Sequence, residues 1–446
     1  MLFKNIIRII TLICAVCSLA MFARAEDYEK SLVLNSYDLL PRSLISNDYY
    51  RIDQTVLNQG YLNKFHIRSN FGDQLVLGSS MLAIRINELK ALHALSKISS
   101  AKVIKDSALD NGEKILTAPI KVSKKVIGLV EDPNKIVTTA QSIPDGIEQI
   151  FSWGARQLHG GLEYANKQMN KSDTKDSKDS QDSDTGSKAV NFAKKSGLKY
   201  IKYTSAEREW FKKLGVDQYT DNEQLQDEVQ RVSGIQTAMN FGFKFVPGFN
   251  LGLIGEVNKW YSRAEDLGMY EPYDILFDKN ESKLALMNID KKTQNKLFSN
   301  KNIWPSMQTV LVDCLDQLKT ANPKIQNLGK FVEVAATSSS PEAALYYVES
   351  CSLLNKIRDK KFNFVKIITS DLVPAAVASN KELVIPVAID YLLWTKDVHM
   401  AFQKIRGLYY KTLSNQSITV ALKGRVSDLA KARFKSLGVK LIEYKN

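Results

Sequence analysis

Between Lys171 and Ser187 the chain carries no hydrophobic side chain at all, only Lys, Asp, Ser, Thr, Gln and one Gly. Such a tract has no apolar surface to bury and nothing to offset the entropy of being ordered, so it cannot be part of a core. It therefore limits the fold to units on either side of a linker, set at residues 167–189. The 446-residue chain is long enough to divide in this way.

The N-terminal side changes period part-way. In Asn63–Arg68, Phe65 and Ile67 alternate with Lys64, His66 and Arg68, the period of a half-buried strand with the basic residues and His66 facing solvent. From Met81 the spacing becomes three and four, through Leu82, Ile86, Leu89, Leu92 and Leu95, which predicts an amphipathic helix. Residues 26–166 thus read as a small antiparallel strand meander followed by amphipathic helices.

Past the linker, Ser205 is placed to cap a helix that stops at Gly215, and a second helix starts at Glu223. Residues 190–360 read as mainly helical. In the last part, 361–446, Phe364–Ile368 and Glu382–Val387 are strand candidates with a turn near Asn380-Lys381. The end reads as strand Ser417–Leu422, helix Ser427–Leu437, stop at Gly438 and strand Val439–Glu443. Strand, helix and strand with short connections imply a parallel pair and a right-handed crossover. The fold class is α+β, closed by a C-terminal mixed α/β domain ending in a β-α-β unit.

The first 25 residues supply an address. Lys4 and Arg8 precede or flank a fourteen-residue apolar run, Ile9–Phe22, and Ala23-Arg-Ala25 ends it. This is the pattern of a secretory signal peptide cleaved after Ala25, since a spanning helix needs about 20 apolar residues. The expected location is the periplasm or the exterior. Loss of Lys4, Arg8 and Arg24 lowers the formal charge from +13 to +10. The remaining basic excess suits an anionic partner, and export leaves an envelope protein or an anionic membrane surface rather than nucleic acid. The stretch Lys114–Val130, with Lys121, Lys124 and Lys125 opposite its apolar face, is the segment expected to make that contact, the alternative being a helix packed in the core.

The run Leu214-Gly-Val-Asp-Gln-Tyr-Thr-Asp-Asn222 with Leu225, and Gly424-Arg-Val-Ser427 with Ala430 and Gly438, resemble segments shared by uncharacterised exported bacterial proteins. The resemblance covers a few dozen residues and implies export without implying an activity.

Chemistry is sparse. The chain has no G-x-S-x-G, H-E-x-x-H, Walker A loop or G-x-G-x-x-G. Of its four histidines, no two stand at metal-ligand spacing, so neither a metal nor a cofactor is expected. His399, with Asp390 and Asp397 near it in sequence, is the one candidate for general-base chemistry. Cys314 and Cys351 lie in two helical segments, where an oxidising compartment permits a disulfide and two buried thiols are the alternative. The function expected is therefore a non-enzymatic envelope protein with an interaction or membrane-peripheral role. The alternative is a hydrolase of an envelope polymer or lipid, with its site at Asp390 and His399.

Overall fold

The computed structural model describes residues 28–98, 192, 203–239, 262–370, 372–412 and 417–444. The export segment, the polar tract and the basic stretch with Lys121, Lys124 and Lys125 lie outside the described residues. Among the described residues no helix is long and apolar enough to cross a membrane.

The chain is α+β. Strands β1 (Leu32–Asn35), β2 (Tyr50–Ile52), β3 (Thr55–Asn58), β4 (Asn63–Ser69) and β5 (Gln74–Leu77) form an antiparallel sheet, with short helices α1 (Ser36–Leu39) and α2 (Arg42–Ile45) after β1. The order is β1-β3-β4-β2, because the longer β4 takes β3 at Asn63 and Lys64, β2 at Ile67 to Ser69 and β5 at Lys64 to Ile67. Phe65 and Ile67 are fully buried, as their alternation predicts. The opposite face is more covered than that alternation implies: Lys64 is buried, and His66 Nδ1 lies 2.7 Å from Asp53 Oδ2 with only 11% of its side chain exposed. Helix α3 (Ser79–Ile98) then buries Leu82, Ile86, Leu89, Leu92 and Leu95 on one stripe.

Helices follow: α4 (Ser205–Leu214), α5 (Glu223–Met239), α6 (Tyr273–Leu286), α7 (Lys291–Ser299), α8 (Pro305–Ala321), α9 (Leu328–Ala335) and α10 (Pro341–Lys361). The cap of α4 is Thr204, one residue before the expected Ser205. Its hydroxyl accepts from Glu207 N while the Glu207 carboxylate accepts from Thr204 N, a reciprocal pair that Ser205 has no partner to form. Gly215, at φ 64°, ends the helix as expected.

The second sheet contains β6 (Phe364–Ser370), β7 (Val373–Ala378), β8 (Leu383–Leu392), β9 (Ile418–Val426) and β10 (Val439–Tyr444), in the order β10-β9-β8-β7-β6. Helix α11 (Lys396–Thr412) joins β8 to β9, and α12 (Asp428–Ser436), capped by Ser427, joins β9 to β10. β8, β9 and β10 are mutually parallel, and the other pairs are antiparallel. Sequence periodicity misses β7, whose Val-Pro-Ala-Ala core has low strand propensity, and so the turn at Asn380-Lys381 joins β7 rather than β6 to β8. The buried apolar side chains form one continuous cluster from Leu40 to Val439, so both sheets and the helices between them share a core.

One irregularity joins the sheets. Ala388 is opposite Lys423 and Tyr391 opposite Arg425, so β8 carries an extra residue across from Gly424. Gly424 has φ +120°, and a Cβ there would stand 2.0 Å from the Ile389 carbonyl oxygen. Released from the ladder, Asp390 N and Tyr391 N donate to Tyr61 O at 2.9 and 3.1 Å, and Leu393 N donates to Gly60 O at 3.2 Å. The bulge thus ties β8 to the loop before β4.

Two glycines with positive φ separate conformational strain from a clash. Gly438, at φ +70°, has open space where a Cβ would go. Gly438→Ala is expected to cost about 1 kcal/mol, the left-handed penalty alone. Gly424→Ala is expected to cost more than about 3 kcal/mol, or to prevent folding, because backbone must move as well. Chemical denaturation of both variants checks the difference.

Candidate functional site

A cleft of about 710 Å³ lies beyond the C-terminal ends of β8, β9 and β10, where Ala388–Tyr391, Lys423–Val426 and Glu443 line it. Parallel strands commonly bind ligands at that edge, and this volume falls within the range of small-molecule sites. The start of α3 at Ser79–Met81 and the first half of α10, through Glu342, Leu345, Tyr346 and Glu349, close its sides. Leucines of the N-terminal unit, Leu34, Leu39, Leu40, Leu62 and Leu77, provide an apolar wall.

Three elements bring charge to its inner end. Ser80 Oγ, in the first turn of α3, donates to Glu349 Oε1 at 2.6 Å. Lys423 Nζ, from β9, donates to the same oxygen at 2.8 Å. The Lys423 and Glu349 side chains are only 12% and 15% exposed. Asp390, aimed inward by the bulge, accepts from Asn63 N at 2.8 Å and from Ser79 N at 3.1 Å. The latter contact places a carboxylate at the positive end of α3. Burial raises the Asp390 pKa, the two backbone N–H groups oppose that rise, and the Glu349 charge adds to it. With both carboxyls ionised, this inner group has one negative charge in excess. At the mouth, Lys431 Nζ lies 3.2 Å from Glu443 Oε1, and Arg425 is exposed.

Of the residues expected from sequence, Asp390 lines this cleft. His399 is held elsewhere: its Nδ1 lies 2.9 Å from Tyr28 Oη, its Nε2 lies 3.0 Å from Gln403 Nε2, and its ring stacks on Trp394. Cys314 and Cys351 meet as buried free thiols between α8 and α10. The hydrogen bond with Cys351 lowers the Cys314 pKa, whereas burial raises that of Cys351 well above the thiol range. Ser80, Glu349 and Lys423 were not picked out by sequence reasoning. The available signal for Glu349 was a lone acid in the apolar run Ala344–Leu354, and for Ser80 a glycine-serine step from strand to helix.

A second polar cluster is built by the segment Leu214–Asn222. The buried Glu88 carboxylate of α3 accepts from Thr220 Oγ1, from Asn222 Nδ2 at 3.0 Å and from Arg85 at 2.9 Å, while Arg85 also pairs with Asp221 at 2.7 Å. Asp217 accepts from Tyr219 N at 2.9 Å and from Ser306 Oγ. These groups are mutually engaged and fasten α3 to α5 and α8, which is a structural role. Among the described residues no group of three or more His, Cys, Asp or Glu side chains is arranged to hold a metal.

No protein-family model matches the chain, and no curated protein or solved structure matches it significantly.

Burial pushes the Asp217 carboxyl up to about 7, with the nearby Glu88 charge adding to the rise. The native state therefore keeps a proton that the unfolded chain releases near pH 4. This contribution to stability is complete below about pH 4 and is lost as pH rises through 7. Asp217→Asn should remove that part of the pH dependence, so that its Tm falls less than the wild-type Tm between pH 5 and pH 8. Equal falls in both proteins would contradict the assignment.

Proposed function

We propose that the chain is an exported, non-enzymatic protein of the cell envelope that binds a small molecule in the cleft at the C-terminal edge of β8, β9 and β10. The observation that carries this reading is a concave, half-apolar site with a preformed charged end, in which Ser80, Glu349 and Lys423 are already fixed by one another. Binding sites of this kind are largely preformed, with a few polar groups fixing orientation on an apolar lining. Among the described residues no histidine or cysteine lines the cleft as a conventional partner for a nucleophile.

The hydrolase reading keeps one observation in its favour. Ser80 follows a strand and Gly78, opens a helix and donates to a carboxylate, an arrangement that can present a nucleophile. The expected result with a fluorophosphonate probe is no labelling of Ser80, and no ester hydrolysis that Ser80→Ala abolishes. Labelling and hydrolysis that both disappear in that variant would establish the hydrolase instead.

Native mass spectrometry of the protein purified from its own host tests the binding role. The expected result is a mature chain beginning at Glu26 that carries a stoichiometric small-molecule adduct, depleted in Arg425→Glu. An adduct-free protein, or an adduct indifferent to that change, would contradict it.

A further inference from the structure

Resting on the binding reading above, we infer that the ligand is a small zwitterion with an apolar body, an amino acid or short peptide whose amino and carboxylate ends are both free. The charged groups of the cleft fall into an inner, little-exposed set and an outer, more exposed one. Its inner end holds two carboxylates, Asp390 and Glu349, against the single ammonium of Lys423. Both internal donors fall on Glu349 Oε1, so Oε2 has no hydrogen-bond partner among the described residues and remains available to accept from a ligand N–H. A ligand ammonium placed there cancels the excess negative charge, and low solvent exposure strengthens that attraction.

The outer end carries the complementary group. Lys431 is already paired with Glu443, whereas Arg425 has no ion pair among the described residues. Its guanidinium presents two parallel N–H donors that suit a carboxylate. Leu34, Leu62 and Leu345 line the same cleft and match an aliphatic side chain. A fatty-acid anion would satisfy Arg425 and the leucines but leave the inner carboxylates uncompensated. A polyamine would satisfy the acids and leave Arg425 facing a cation.

Calorimetric titration of the mature protein with four probes separates these cases: L-leucyl-L-leucine, its N-acetyl derivative, its C-terminal amide and decanoate. The free dipeptide is expected to bind, and capping either end to weaken binding about tenfold or more, the effect of one lost charge-assisted hydrogen bond. Glu349→Gln should weaken the free dipeptide and the amide while leaving the N-acetyl form unchanged. Arg425→Gln, at an exposed position, should do the reverse, weakening the free dipeptide and the N-acetyl form and sparing the amide. Decanoate or the N-acetyl dipeptide binding as tightly as the free dipeptide would overturn the zwitterion assignment while leaving the cleft a binding site. Failure of all four probes on folded protein would also overturn it, and the native adduct would then decide the binding role separately.

Discussion

The arrangement of both sheets depends on a steric constraint at Gly424. Because its φ is +120° and no Cβ fits against the Ile389 carbonyl, β8 can carry an extra residue there and leave the regular ladder. The consequence is directional. Asp390 points out of its own sheet and accepts from Asn63 N and Ser79 N, which begin β4 and α3. Glu29 provides a second tie: its amide donates to Trp394 O at 2.9 Å, and its carboxylate accepts from Trp394 N and Ser427 Oγ, each at 2.5 Å. Two carboxylates, each bound by groups distant in sequence, thus hold the N-terminal unit against the ends of the parallel strands.

The cleft follows from that contact. Bringing the start of α3 to the ends of β8 and β9 sets Ser80 beside Glu349 and Lys423, side chains from three elements separated by long stretches of chain. The same bulge places Asp390 and Arg425 on its lining. Burying charge is costly unless it is paired and hydrogen-bonded: Glu349 and Lys423 pair with each other, whereas Asp390 is held by backbone N–H groups alone. The unoccupied Oε2 of Glu349 and the exposed Arg425 are where the set remains incomplete.

Much of the architecture was legible because local signals were strong. The alternation at Phe65 and Ile67, the stripe from Leu82 to Leu95, the stop at Gly215 and the closing strand-helix-strand unit are all present in the described structure. β7 was missed because Pro374 and adjacent alanines do not look like a strand, yet neighbours on both sides bury it. The site was much less legible. Asp390 stands near His399 in sequence, but its role depends on a bulge whose only sign in the sequence is Gly424. Ser80, Glu349 and Lys423 come together only through tertiary packing, which periodicity does not encode. The segment Leu214–Asn222 carries a resemblance but no stated role in the sequence, and its polar residues fasten α3 to its neighbours.

Amide hydrogen exchange at Asn63 and Ser79 tests the bulge-borne contact most directly, because each amide donates to the Asp390 carboxylate across the two units. The account predicts that both exchange only with the opening that also exposes the Val420–Leu422 ladder of β9, and that they share its free energy of exchange. Rapid exchange of Asn63 and Ser79 while that ladder stays protected would contradict it, since the two units would then open independently of Asp390.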